Sequence, residues 1–350
     1  MPRFLLSLAV AAAFTAFLIV YFRRHAIRLG LVDYPGGHRQ HVEPTPLVGG
    51  LGMCIAFLLS LLLLPVGLHE LRALAAGAIL LMIVGVLDDL HDLSSRARFA
   101  TQIFAGLLMC IWGGVVLHDF GYLVGDSLVV LGNWSVPVTI FAVVGVVNAL
   151  NLADGIDGMA GGTSLLAGTL LIVNATMAGD YQSAMVLSVL CASVIAFLYF
   201  NLSKQEKGRK VFMGDAGSMF LGFTLSWFLV SMSQGQARAI QPVTALWLLA
   251  IPLFDTIAVM LRRIMMGKSP FKADRQHIHH VLKRIGLSDT GILILIMTAA
   301  AVLGIAGTIA DLLAVEERIM FYLFLGLFSV FYLAMSYLWN RYPYIENNAV

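Results

Sequence analysis

Asp88, Asp89 and Asp92 stand directly after an apolar run, in Gly85-Val86-Leu87-Asp88-Asp89-Leu90-His91-Asp92. Each carboxylate resists entry into a bilayer. On a helix, Asp88 and Asp92 are four apart and Asp89 and Asp92 three apart, so they share a face. Clustered anions repel one another unless a cation compensates. The cluster therefore reads as a divalent-metal or phosphate-handling acid/base group, or else as a solvated helix end. A second set, Asn148-Ala149-Leu150-Asn151-Leu152-Ala153-Asp154-Gly155-Ile156-Asp157-Gly158, places Asp154 and Asp157 three apart, among glycines that let backbone approach a ligand. Asn148 and Asn151 are costly in lipid without partners. They point to a polar cavity or, for Asn148 taken alone, to a hydrogen bond between helices.

Three further segments carry chemistry. Val211-Phe212-Met213-Gly214-Asp215-Ala216-Gly217-Ser218 sets a carboxylate between glycines where an apolar run begins, as a metal holder or a helix cap. Pro270-Phe271-Lys272-Ala273-Asp274-Arg275-Gln276-His277-Ile278-His279-His280 lies in the most basic loop. Its histidines suggest zinc, but no Glu stands between two helix-spaced histidines as a zinc protease needs. Anion binding by histidine and arginine fits the surrounding charge better. Gly37-His38-Arg39-Gln40-His41 forms another basic loop, bounded by Pro44-Thr45-Pro46. Asp255 lies deep in an apolar run and reads either as a functional acid or as a partner of Arg262. Two phosphate motifs fail. Gly267-Lys268-Ser269 has Arg262 where a P-loop needs glycine, and Gly50-Leu51-Gly52 continues to Ile55 with no strand before it.

The elements that must position these residues are membrane helices. Of 350 residues, 59% are hydrophobic and 12% charged, half the charged share of a soluble chain. Disorder, a disulfide scaffold and an ordinary cytosolic enzyme are disfavoured, and a net charge of +2 argues against nucleic acid as a partner. Cys54, Cys110 and Cys191 fall in apolar runs and read as core residues. The runs are continuous rather than alternating, which excludes a β-barrel. An all-α, polytopic integral membrane protein follows. Windows of about 20 apolar residues fall near 4–22, 47–67, 72–87, 99–117, 137–153, 162–179, 182–200, 213–233, 241–261, 291–310 and 319–338. That predicts eleven spans in a single membrane-embedded domain over residues 1–350. Eighteen of the 22 lysines and arginines follow odd-numbered spans, leaving only Arg3, Arg72, Arg238 and Arg318 opposite. The positive-inside rule then puts the N-terminus outside, at the periplasmic face, and the C-terminus in the cytoplasm. The five motif segments gather at the inner face. Acids beside a His/Arg loop suit a magnesium–diphosphate substrate, and an interfacial site lets a soluble donor meet a lipid acceptor.

Asp88-Asp89-x-x-Asp92, the Asn148–Gly158 motif, Phe212-Met-Gly-Asp-Ala-Gly-Ser218 and Asp274-Arg-Gln-His-Ile-His-His280, taken in order, resemble the polyprenyl-phosphate N-acetylhexosamine-1-phosphate transferases. The likeness runs from about residue 31 to beyond residue 285. The stretch Pro242–Trp247, with Ser269-Pro270-Phe271 and His280, is most similar to the branch acting on undecaprenyl phosphate.

That resemblance implies UDP-N-acetylglucosamine and undecaprenyl phosphate as substrates, with UMP and a lipid-linked diphospho-sugar as products. It implies a role in starting O-antigen and related envelope glycans at the bacterial inner membrane. It also implies Asp88 as the group acting on the lipid phosphate, with Asp89 beside it, and Mg²⁺ (or Mn²⁺ in its place) on Asp215 and Asn151. By the same likeness, Asp92, Asp154 and Asp157 would help place the donor, Arg98 would contact phosphate, and Arg275, His277, His279, His280 and His41 would hold the sugar or diphosphate end. Membrane lipid surrounds such a protein, and a homodimer is compatible with it. Another UDP-N-acetylhexosamine donor is the alternative within this class. A transporter using Asp255, Asn148 and Asn151 as an ion path is the alternative outside it.

Overall fold

The computed structural model describes residues 2–34, 44–203, 208–270 and 276–343. Twenty-residue apolar stretches cannot leave backbone N–H and C=O groups unpaired in lipid, so they wind into helices that satisfy those groups internally. The order is α1 (Pro2–Leu29), β1 (Val32–Asp33), β2 (Thr45–Pro46), α2 (Gly49–Leu61), α3 (Leu68–His91) and α4 (Ser95–Leu107), which runs on as one π-helical turn, Leu108–Trp112. There follow α5 (Ser135–Ala153), α6 (Met159–Ala178), α7 (Tyr181–Asn201) and α8 (Gly214–Ser233). The last five are α9 (Pro242–Leu248), α10 (Ala250–Met265), α11 (Ile278–Arg284), α12 (Asp289–Leu312) and α13 (Glu317–Arg341).

Among the described residues, eight helices are long and apolar enough to cross a membrane, and nine if α9 and α10 count as one broken span. Two of the eleven sequence windows fall on helices of 13 residues. Window 47–67 falls on α2, whose 13 residues end at Leu61 although apolar residues continue to Val66. Window 99–117 falls on α4 and its π turn, whose first turns carry Arg96 and Arg98. Hydropathy reports side chains; it does not report where the backbone ladder stops. Window 241–261 is bent by 84° between α9 and α10. Pro252 has no N–H for the Leu248 carbonyl and its ring would collide with it, so one helix cannot run through this point.

α8 is apolar on every side and sits at the centre, packed against α2, α3, α5, α6 and α9. Protein covers 94% of its most apolar window, against 17% for α13. α3 comes close at Gly85, where a Cβ would lie 2.3 Å from the Ala216 Cα. Only a residue without a side chain lets the acidic end of α3 meet the start of α8. The β1–β2 ladder pairs Val32 with Pro46 and Asp33 with Thr45. Its outer strand also accepts from the Phe212 amide at the Pro46 carbonyl, 2.8 Å, tying the connection before α8 to the segment before α2.

Candidate active site

The C-terminal ends of α3, α5 and α7 and the N-terminal ends of α8 and α11 meet around a cavity of 1150 Å³. Asp88, Asp89, Asp92, Asn151, Asp154, Asp157, Asp215, His279 and His280 all line it. The acids and Asn151 gather there because they stand at or next to the ends of apolar helices, and α11 brings His279 and His280 to them.

Asp88 is buried, at 4% exposure. Its Oδ1 accepts from the Leu93 amide at 2.7 Å and its Oδ2 from Arg98 at 3.0 Å. The same guanidinium nitrogen lies 3.7 Å from Asp215 Oδ2, so one cation serves two acids borne on different helices. Asp89 turns the other way, towards the start of α8, where Oδ1 accepts from the Asp215 amide at 2.9 Å. Asp92 closes α3 in the left-handed conformation, φ 54°, with its amide bonded to the Asp88 carbonyl.

From α5, Asn151 donates to Asp215 Oδ1 at 2.5 Å and to the Ser218 hydroxyl at 2.9 Å. Asn148, three residues earlier, is turned elsewhere and donates to Gln102 of α4 at 2.6 Å. Asp157 pairs with Lys210 at 2.6 Å. Asn201 accepts from the Gly158 amide at 2.7 Å and donates to the Val211 carbonyl at 3.0 Å, so it fixes both turns beside the cavity. Asp154 has no ion-pair partner among the described residues. Desolvation, then the charges of Asp215, Asp157 and Asp89, push its carboxyl well above the usual carboxylate range.

The histidines part company. His279 and His280 face the cavity, whereas His277 bonds through Nδ1 to Asp255 Oδ2 at 2.8 Å, and both partners are buried. Arg262, the partner in one of the two readings open for Asp255, lies instead over the Trp339 ring, 5.1 Å from its centroid. Burial, then His280, His277 and Lys283, lower the His279 pKa to about 2, so its ring is neutral. That ring rests against Gly155, where a Cβ would come within 2.3 Å of Nε2. His41 and Arg275 lie outside the described residues. Asn201, Lys210, Lys283 and Arg284 belong to the site or its rim and were not expected. The signal for Asn201 was present all the same, as an amide closing an apolar run.

Chemically, the cavity concentrates anionic oxygens against few cations. No three His, Cys, Asp or Glu side chains among the described residues come together as a closed metal cage. The oxygen-rich lining with an uncompensated Asp154 fits a hard divalent cation that takes part of its shell from a phosphate and water.

Residues 71–233 match glycosyl transferase family 4. Over 95% of the chain, the sequence is 40% identical to the undecaprenyl-phosphate alpha-N-acetylglucosaminyl 1-phosphate transferase of Yersinia pestis, covering 91% of that protein. The protein of the same name from Escherichia coli strain K12 is 37% identical over 95% of the chain and 91% of its own length. That from Haemophilus influenzae is 33% identical over 93% and 92%. The chain belongs to glycosyl transferase family 4. Enzymes of this family are transferases that generally depend on a divalent metal. In this family 4 member, the matched region carries the acids of α3 and α8 and those that follow α5, and the histidine segment lies beyond it.

Proposed function

We propose that the protein transfers N-acetylglucosamine 1-phosphate from UDP-N-acetylglucosamine to undecaprenyl phosphate, releasing UMP. The observation that carries this reading is the convergence of Asp88, Arg98, Asn151, Asp154 and Asp215 on one cavity at the ends of apolar helices. The relatives named for this transfer support the choice of both substrates.

An oxygen of the lipid phosphate attacks the donor phosphorus next to the sugar. The bond from that phosphorus to the uridylyl oxygen breaks, and UMP leaves. Arg98 draws the lipid phosphate to the mouth of the acid cluster, and Asp88 beside it takes any remaining proton and orients the attacking oxygen. Both Asp88 oxygens already accept hydrogen bonds, which fixes the carboxylate in place and suits an orienting role. Asp215 and Asn151 would hold Mg²⁺, which when bound neutralises charge on the donor diphosphate. Asp154, Asp157 and Asp92 set the donor side of the cavity. His279 and His280, with Lys283 and Arg284 behind them, hold the diphosphate or sugar end.

The membrane arrangement we infer has eleven crossings, with α2 and α4 among them, an outside N-terminus and a cytoplasmic C-terminus. It rests on the distribution of lysine and arginine. It puts the cavity at the cytoplasmic face of a bacterial inner membrane, where the nucleotide sugar is available. The test is a reaction of the purified chain with Mg²⁺, UDP-N-acetylglucosamine and undecaprenyl phosphate. UMP release is expected. Release only from another UDP-sugar would replace the donor, and release from none would overturn the reading.

A further inference from the structure

Asp255 takes no part in the acid cluster, yet it is 6% exposed and deep in an apolar helix. A carboxylate there is costly unless its oxygens are occupied. Both are. Oδ2 meets His277 Nδ1 at 2.8 Å and Oδ1 accepts from the Ile278 amide at 2.7 Å. One planar group thus fixes a ring on one residue and the backbone of the next. α11 begins at that point, and the two side chains that follow are His279 and His280, which face the cavity. The rings of His277 and His279 lie parallel, 6.2 Å apart with planes 7° from each other, so the orientation of the first bears on the second. His279 in turn rests on Gly155, between Asp154 and Asp157. Behind the segment, the Trp339 indole donates to the Gln276 carbonyl at 2.8 Å, closing off rotation about the other side.

We propose that Asp255 is a positioning residue, which acts through His277 and the Ile278 amide to aim His279 and His280 at the donor end of the cavity. This rests on the proposed function only in naming the donor. An unbroken series of contacts runs from α10 through Asp255, His277 and His279 to Gly155, linking the second half of the broken span to the acids that follow α5. Neither end of that series needs to touch the lipid phosphate.

The full chain in detergent with Asp255→Ala and Asp255→Asn tests it, by steady-state kinetics against each substrate and by calorimetric titration with UDP. Asp255→Ala is expected to raise the KM for the nucleotide sugar about tenfold and to weaken UDP binding by a like factor. The KM for undecaprenyl phosphate should stay within about twofold. Asp255→Asn keeps the shape and one oxygen for the Ile278 amide but offers an N–H to His277, so an intermediate loss is expected. It also serves if the alanine variant does not fold. Adding His277→Asn to Asp255→Ala should cost little more, because both act along one line. Unchanged UDP affinity in both variants, or equal rises in both KM values, would overturn the proposal. If the wild type turns over no UDP-N-acetylglucosamine, the functional reading fails, and the UDP titration still decides the role of Asp255.

Discussion

Asp89 accepts the amide proton of Asp215 at 2.9 Å, so two acids that line one cavity are also joined through the start of a helix. The second Asp89 oxygen lies 3.5 Å from the Ala216 amide. Asp89 therefore serves as the cap of α8, a place where a carboxylate also favours the helix dipole. Asp89→Ala should lose about 1 kcal/mol of stability as well as activity. Asp89→Asn, which retains an acceptor, should keep most of the stability. Thermal unfolding beside UMP release separates the two effects.

Asp88 and Arg98 should behave differently when changed. Asp88→Asn leaves the Leu93 amide a partner and is expected to abolish turnover with folding intact, read by size-exclusion profile and UMP release. Arg98→Ala leaves Asp88 and Asp215 facing each other without their shared cation. Its activity should fall about a hundredfold or more, with Arg98→Lys recovering part of it. Wild-type rates in either Asp88→Asn or Arg98→Ala would break the site assignment.

Asp154 makes the metal-free protein sensitive to pH. Its carboxyl titrates above the ordinary range in the folded chain, so its stabilising contribution is complete below the unfolded value of about 4 and is lost as pH rises. At neutral pH without divalent cation, Asp154→Asn should therefore unfold at a higher temperature than the wild type. Mg²⁺ should raise the wild-type midpoint, in line with binding to the folded state. A variant that melts lower than wild type without metal would contradict this.

His279 has the opposite consequence at acid pH. The folded chain keeps the ring neutral while the unfolded chain takes up a proton below about pH 6.5. Stability thus falls as pH drops through that value, by a slope approaching about 1.4 kcal/mol per pH unit. His279→Gln should flatten the fall between pH 7 and 5 in a series of denaturation midpoints.

Gly155→Ala should push the His279 ring away from Asp154 and Asp157, since the new methyl would stand 2.3 Å from Nε2. A destabilisation of about 1–3 kcal/mol is expected from the overpacking. The KM for the nucleotide sugar should rise more than that for the lipid, as initial rates against each would reveal.

The acids of the site were legible in the sequence because polar groups beside apolar runs have few places to go. Asp88, Asp154 and Asp215 each mark the point where a helix leaves or enters hydrocarbon, and those points converge. The partners were not legible. Asn148 and Asn151 are the same residue type on one helix, and what separates them is that α4 offers Gln102 to one and α8 offers Asp215 to the other. Asp255 has Arg262 within two helical turns, yet its oxygens go to His277 and Ile278, brought back by a loop. Proximity along the chain decides only contacts within an element. The helix lengths divide in the same way. α5 fills its apolar window, while α2 stops short of its own.

α8, which carries Asp215, touches almost nothing but protein. The bilayer can thicken, thin or change its lipids, and the helices that feel it first are the outer ones such as α13. Asp215 and its neighbours are insulated from such changes by a full ring of helices. Under the proposed function, with a membrane lipid as acceptor, the groups around Asp215 thus stay in register while the surroundings vary in composition.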